Sequence, residues 1–377
     1  MKKVLFVATV VKKHINEFHL PYIKKFKSFG WQVDVAARND FTPPNALVIP
    51  GCDNYYDINF TRTPLSWQNI TAYKKLKKII AMMKYNLIIC NTPIGGVIGR
   101  VAGRNISNCK IVYICHGFHF FQGNEWYKNI VYRNVEKFLA RYTDCLLTVN
   151  REDYEAACRF LLRVPNNVHQ INSIGCDLHR FNMPQYRKSI MRKKIGISTD
   201  AFVVITVAEL NQNKNQRTAI KAFCKADIPN SVYILCGSGD SEHELKEQVK
   251  ALALENRVLF LGYRHDIPEL LGMADCFLFT SCREGLPMAI VEAMSAGLPV
   301  LVPDIRGARD CMVAGKSGYR FHPMDVDGFA DGLCRIYNMD EREKNAMRNF
   351  NIYHSKKYAI EDVLDDVFNI YRKSGLM

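Results

Sequence analysis

Residues 281–300, SCREGLPMAIVEAMSAGLPV, constrain the chain more than any other stretch. They follow ADCFLF (274–279), a short apolar run of the kind buried in a parallel sheet. A tight loop then leads into a short helix. Pro287 suits a first helical position, residues 288–296 are good helix formers, Gly297 supplies the stop and Pro299 cannot continue the turn. This strand, loop, helix and strand predict a parallel α/β sheet. They also aim the first backbone N–H groups of the helix, near Gly285, Leu286, Pro287 and Met288, beyond the sheet edge, where a helix N-terminus favours an anion, most often phosphate.

Two carboxylates flank that N-terminus. Glu284 lies in the loop, and Glu292, further along the helix, leans back toward the same crevice. Like charge keeps both away from a phosphate but suits both to accepting hydrogen bonds from hydroxyls. A nucleotide sugar offers both kinds of group, a diphosphate between two sugars. The plainer alternative is that Glu284 only favours the helix dipole and Glu292 lies on a solvated face.

The first half alternates strand-like runs (4–10, 32–36, 87–90, 111–115 and 145–149) with helix-length segments, as a doubly wound parallel sheet requires. TVVKKHINEF, after the first run, contains no glycine, which disfavours a nicotinamide or flavin dinucleotide site there. His116 directly follows the run 111–115, and ligands of open parallel sheets bind outside the carboxyl ends of strands. Phe118, Phe120 and Phe121 beside it are equally suited to the core, and His119 is a further candidate.

In the second half, FVVITVA leads to ELNQNKNQRTAIKAF. Lys214 in that loop is placed to meet a diphosphate as a point charge, with Asn213 and Asn215 as helper donors. LCGSGDSEHELKE repeats the pattern. Gly237 and Gly239 would let backbone approach a ligand, although a tight turn explains them equally well. No D-x-D triplet stands at a plausible loop, and Asp325-Val326-Asp327 is better explained as a helix cap, so no metal is expected.

Taken together and in order, HGFHFF (116–121), SIGCDLHRF (173–181), AELNQNKNQ (208–216) and the block 261–310, with Glu284-x7-Glu292 inside it, resemble the retaining glycosyltransferases of family 4, among them bacterial capsule and exopolysaccharide enzymes. The resemblance implies the GT-B fold: α/β, two Rossmann-like doubly wound parallel-sheet domains facing across a cleft. Residues 1–170 would form the acceptor-side domain and 171–354 the nucleotide-sugar domain. A long helix at 355–377 would return to the first, with Gly175 bending the connection and Phe181 anchoring it.

The resemblance also assigns roles. His116 would border the transferred sugar, Glu284 orient that sugar, Glu292 hold the ribose, and Tyr263 and Arg264 lie against the base. His14, Asn16 and His19 stand where many relatives carry a glycine-rich loop; they are candidates for the acceptor side, against the ordinary alternative of caps and surface groups. Glu209 occupies a position where the family usually has Arg. The second phosphate-binding cation must therefore come from elsewhere, with Arg306 and Arg283 as candidates. No cofactor is implied beyond the donor, a UDP-N-acetylhexosamine or related nucleotide sugar, and the acceptor would be a lipid-linked glycan. Rival readings are a nucleotide-sugar 2-epimerase of the same fold and a catalytically silent protein that binds nucleotide sugar or glycan.

Charge adds a partner. Residues 1–170 hold 24 Lys+Arg against 11 Asp+Glu, so nearly all of the formal net charge of +14 belongs to the first half. The segments 16–31 and 72–85 interleave apolar residues with lysines, Lys74, Lys75, Lys77 and Lys78 among them. They can form amphipathic helices that either simply pack on the sheet or also approach an anionic membrane. No recognised nucleic-acid module accompanies the charge. No apolar run reaches the roughly 18 residues that span a bilayer. Thirteen cysteines without a C-x-x-C pair suit a reduced compartment. A cytoplasmic protein held at the inner face of the plasma membrane is the expectation.

Overall fold

The computed structural model describes residues 1–61, 63–64, 66–181 and 186–377, and the chain forms two units, Met1–Gly175 with Ile360–Met377, and Cys176–Ala359. Both are parallel sheets wrapped by helices, the GT-B type of architecture.

In the first unit, β1 (Lys3–Val10) runs into a π-helix (Val11–His19) and α1 (Leu20–Ser28). There follow β2 (Gln32–Arg38), β3 (Asn54–Asp57), α2 (Trp67–Met83), β4 (Leu87–Cys90), α3 (Pro93–Gly103) and β5 (Lys110–Cys115). The unit continues with α4 (Trp126–Ala140), β6 (Cys145–Thr148), α5 (Arg151–Ala157) and β7 (Val168–Gln170). The sheet order is β3-β2-β1-β4-β5-β6-β7, every pairing parallel. Chain direction across the sheet therefore reverses between β1 and β4.

In this unit two strands escaped the sequence reading, β3 and β7. Both are short edge strands, and β3 has no buried residue, so neither presents the apolar run that marks a central strand. With β3 counted, His116 follows the fifth strand, and the first unit extends past residue 170 to Gly175.

The second unit begins with α6 (Tyr186–Lys194) and continues β8 (Phe202–Val207), α7 (Gln216–Ala226), β9 (Ser231–Cys236), α8 (Glu242–Ala251), β10 (Val258–Gly262) and α9 (Ile267–Met273). Next come β11 (Cys276–Leu278), α10 (Met288–Ser295), β12 (Val300–Pro303), α11 (Ala308–Cys311), β13 (Gly318–Phe321), α12 (Val326–Asn338) and α13 (Glu341–Ser355). Its order is β10-β9-β8-β11-β12-β13, again all parallel, with the reversal between β8 and β11. Phe181 is buried in this unit's core with Met191, Phe277 and Ile290.

The long terminal helix read from residue 355 onward is broken. After α13 come a 3-10 turn (Lys356–Tyr358) and extended Ala359, before α14 (Ile360–Lys373) starts. The break has a packing cause. Tyr358 is buried, its hydroxyl donates to the carbonyl of Asp310 at 3.0 Å, and its own carbonyl accepts from the amide of Cys176 at 2.8 Å. The two chain crossings are thereby pinned side by side. Within the first unit, α14 sets Phe368 against Phe26, ring centroids 4.9 Å apart, and Gly175 takes φ +87° where any Cβ would strike Ile360.

Candidate active site

In an open parallel sheet the crevice lies at the carboxyl ends of the strands flanking the reversal point. In the second unit those are β8 and β11, and the loops after them carry Lys214 and Glu284. Lys214 Nζ donates to Glu284 Oε1 at 2.6 Å, and Ser281 Oγ donates to the same oxygen at 2.6 Å. The two loops are stitched together: the amide of Cys282 donates to the carbonyl of Asn213 (2.8 Å), and Asn213 Nδ2 donates to the carbonyl of Arg283 (3.0 Å). Ser281 is fully buried, so Glu284 is held by a fixed donor as well as by a mobile cation.

Arg306, in the loop after β12, is buried, and its Nε donates to the main-chain carbonyl of Glu284 at 3.3 Å. It reaches that place because Gly307, at φ +72°, lets the loop press against Gly285: a Cβ there would stand 2.1 Å from the Gly285 carbonyl oxygen. Of the two alternatives left open by the sequence, Arg306 is thus drawn to Glu284, while Arg283 has an exposed side chain. Glu209 does not join them; its carboxylate accepts from Asn211 Nδ2 at 3.0 Å.

The helix after the loop starts one residue later than expected, with Pro287 as the N-cap and Met288 as the first helical residue. Gly297 ends it at φ +82°. Glu292 lies one turn in, near Cys176, whose thiol is pushed up to about 12 by burial and by the Glu292 charge. Gly285 and Leu286 are partly buried in the loop that leads to Pro287.

Two assignments from the sequence need correction. Asn215 is not a spare donor: its Nδ2 donates to the carbonyls of Thr280 (3.1 Å) and Pro323 (2.9 Å), and its Oδ1 accepts from Thr218 (3.0 Å). Nor do Gly237 and Gly239 hold space open for a ligand. Cβ atoms at these positions would lie 1.9 Å from the carbonyl oxygen of Ala208 and 2.2 Å from that of Leu210, so the glycines admit the neighbouring loop's own backbone. Tyr263 is 67% exposed at the end of β10, and Arg264 is paired with Asp266 through Nε at 2.7 Å. Asp325 caps α12 through the amide of Gly328 at 2.8 Å, as expected of the D-x-D letters.

The first unit gathers three histidines at its own reversal point. His14 and His19 belong to the π-helix after β1, and His116 follows β5. One ring nitrogen from each lies within 4.8 Å of the others, and the Nε2 atoms of His14 and His19 are 3.2 Å apart. In an α-helix, residues five apart diverge by about 140°. A π-helix closes its hydrogen bonds between residues five apart and brings them onto one face.

His19 is fully buried, and burial holds His116 down at about 4. His14 and His19 are also well below the usual histidine range, through burial first and then through the neighbouring imidazoles. The cluster is therefore neutral near pH 7. His116 Nε2 is buried without a hydrogen-bond partner. The histidine-bearing loop is fixed from behind: Asp153 accepts from the amide of Phe118 at 3.0 Å, and Phe118 and Phe120 are stacked in the core at 4.7 Å. Asn16 instead donates to the carbonyl of Val48 at 2.9 Å, and the His119 ring packs on Tyr132.

Sequence reading missed Thr92, the residue after β4 and Asn91. It holds φ +62°, an outlier for a β-branched side chain, and its Oγ1 lies 2.8 Å from Thr9 Oγ1. The available signal was positional, since it stands at the strand end beside the reversal.

A model described as glycosyl transferases group 1 matches residues 187–351, and one described as glycosyl transferase 4-like matches residues 3–150. EpsD of Bacillus subtilis (strain 168), named as a glycosyltransferase, is 37% identical over 90% of this chain and 88% of its own length. The Escherichia coli UDP-Gal:alpha-D-GlcNAc-diphosphoundecaprenol alpha-1,3-galactosyltransferase is 32% identical over 75% of this chain and 76% of its own. Among solved structures, Anabaena HepE in complex with UDP and glucose superposes with a TM-score of 0.81 at 23% identity, covering 99% of this chain and 100% of that one. The two matched segments take in both reversal points, and with relatives this similar over most of its length the chain belongs to the group 1, family 4-like glycosyltransferases of GT-B fold.

Proposed function

We propose that this glycosyltransferase moves a hexosyl group, in the N-acetylhexosaminyl class, from a UDP-sugar to a lipid-linked glycan acceptor during bacterial surface polysaccharide synthesis, with retention at the anomeric carbon. One observation supports it most: a lysine, a buried arginine and a serine-held carboxylate converge at the reversal point of the second unit, beside the N-terminus of α10.

In this reading the second unit is the donor domain. Lys214 turns from Glu284 to the diphosphate, Arg306 and the α10 N-terminus share the remaining charge, and no metal ion is required for that task. Glu284, still held by Ser281, then accepts hydrogen bonds from the donor sugar, and Glu292 accepts from the ribose. Tyr263 and Arg264 lie on the base side. The acceptor hydroxyl attacks the anomeric carbon as its bond to the UDP oxygen breaks, and the hydroxyl proton passes to that departing oxygen. The first unit is the acceptor domain, with neutral His116 in hydroxyl recognition. Names of relatives point the same way, the E. coli enzyme being named for UDP-Gal and a diphosphoundecaprenol acceptor. Such an acceptor assigns the chain to the inner face of a plasma membrane.

The test is a panel of nucleotide sugars offered to the purified protein. Binding and slow hydrolysis are measured first, then transfer to a lipid-diphosphate sugar, with the product anomer read by NMR. A UDP-sugar should stand out; affinity for none, or an inverted product, would overturn the assignment.

A further inference from the structure

α4 is built inside out. The positions facing its own unit, Asn129, Tyr132 and Glu136, recur at helical spacing and are polar or amphipathic. Asn129 exchanges hydrogen bonds with the main chain of Phe121 at 3.1 and 3.0 Å, and Glu136 reaches the buried guanidinium of Arg100 at 2.8 Å. Only at its last turn does the helix bury apolar side chains, Leu139 and Ala140.

Its outer face is apolar instead. Tyr127, Val131 and Phe138 lie opposite the inner positions and are 50%, 58% and 50% exposed, with Ile130 and Trp126 beside them at 52% and 75%. Leaving such a stripe in water is unusual for a surface helix, whose apolar side normally faces the core. The exposed charges around it are basic: Lys128, Arg133, Lys137 and, at the C-cap, Arg141. The acidic residues are occupied, Glu136 inward on Arg100 and Glu125 on Lys128 at 2.5 Å.

α2, α3 and α4 send side chains into one core cluster and so share one face of the seven-stranded sheet. On that face α2 exposes Lys74, Lys75, Lys77 and Lys78. Among the described residues no helix is long and apolar enough to cross a membrane. An aromatic and aliphatic ridge rimmed by cations, on a face already rich in lysine, matches an anionic bilayer surface: the rings and branched chains enter the headgroup boundary while the cations meet lipid phosphates.

We propose that α4 lies in the membrane interface and is the element that inserts. The proposal rests on the lipid-linked acceptor for why a bilayer is needed, but its test requires no sugar transfer. The full-length chain is sedimented with phosphatidylglycerol-containing vesicles and with pure phosphatidylcholine vesicles, across a salt series. The wild type should bind the former and keep a measurable fraction bound at salt that screens the lysines. The triple variant Ile130→Ser, Val131→Ser, Phe138→Ser should lose about tenfold or more in partitioning, with an unchanged melting temperature because all three side chains are exposed. It should also retain transfer to a water-soluble acceptor analogue. Equal vesicle binding by variant and wild type would overturn the proposal. So would a wild type that self-associates in sedimentation equilibrium and is made monomeric by the triple change, which would make the ridge a contact between copies. Absence of transfer with vesicle binding intact would instead count against the donor and acceptor assignment alone.

Discussion

Lys214 Nζ lies 2.6 Å from Glu284 Oε1, an ion pair across the reversal point whose partners are 22% and 13% exposed. A cation assigned to phosphate and a carboxylate assigned to sugar hydroxyls here neutralise each other. Donor binding would replace this contact by two others, each partner turning to the part of the nucleotide sugar that suits its charge.

Lys214→Ala should therefore weaken UDP binding by roughly ten- to a hundredfold, the cost of about 1.5 to 3 kcal/mol for losing a charge-assisted contact. Calorimetric titration with UDP measures it. Since Ser281 still holds Glu284, the melting temperature should change little; unaltered UDP affinity would remove Lys214 from the donor site.

Glu284→Gln and His116→Ala should depress turnover far more than affinity for free UDP, because both are assigned to sugar hydroxyls. Glu292→Ala should instead weaken UDP itself, through the ribose. Steady-state kinetics and UDP titrations on the same preparations separate the two patterns, and the reverse pattern would mean that the donor is placed the wrong way round.

Acid should destabilise the first unit through its histidines. His116 titrates at about 4 when folded against an ordinary value of 6.5, so between those pH values the unfolded chain binds the extra proton. Stability is fully present above about 6.5 and is lost as pH falls through the folded value; for His116 alone the loss amounts to about 3 kcal/mol. His14 and His19 shift in the same direction. Hydrogen exchange of β1 and β5 amides from pH 7 to 4 should show it, with His116→Asn flattening the slope.

Activity should persist in excess chelator if Lys214, Arg306 and the α10 N-terminus carry the diphosphate charge. A strict requirement for added magnesium or manganese would sink that assignment.

Replacing Lys74, Lys75, Lys77 and Lys78 together by Gln should lower vesicle binding mainly at low salt, by reducing long-range attraction, and leave UDP affinity unchanged. The apolar side of α2, including Leu76, Ile79 and Ile80, is buried, so fold stability should hold.

Much of this was legible in the sequence, for local reasons. Central parallel strands are buried on both faces and announce themselves as apolar runs. Pro287 and Gly297 mark the ends of α10 to within a residue, and the order of four motifs identifies the family. Edge strands β3 and β7 lack that signal because no sheet covers one side of them.

Tertiary structure alone decided what the loops do. Parallel strands deliver residues remote in sequence to one sheet edge, which is how Lys214 meets Glu284 and how His116 meets His14. The π-helix decided that histidines five apart share a face; an α-helical reading would have separated them. Backbone packing claimed Gly237 and Gly239, and hydrogen bonds to Thr280 and Pro323 claimed Asn215, because a buried polar group must be satisfied before it can serve a ligand. The exposed ridge of α4 belongs with these. The sequence reading did not single it out, and the partners of Asn129 and Glu136 fix which side of the helix turns inward.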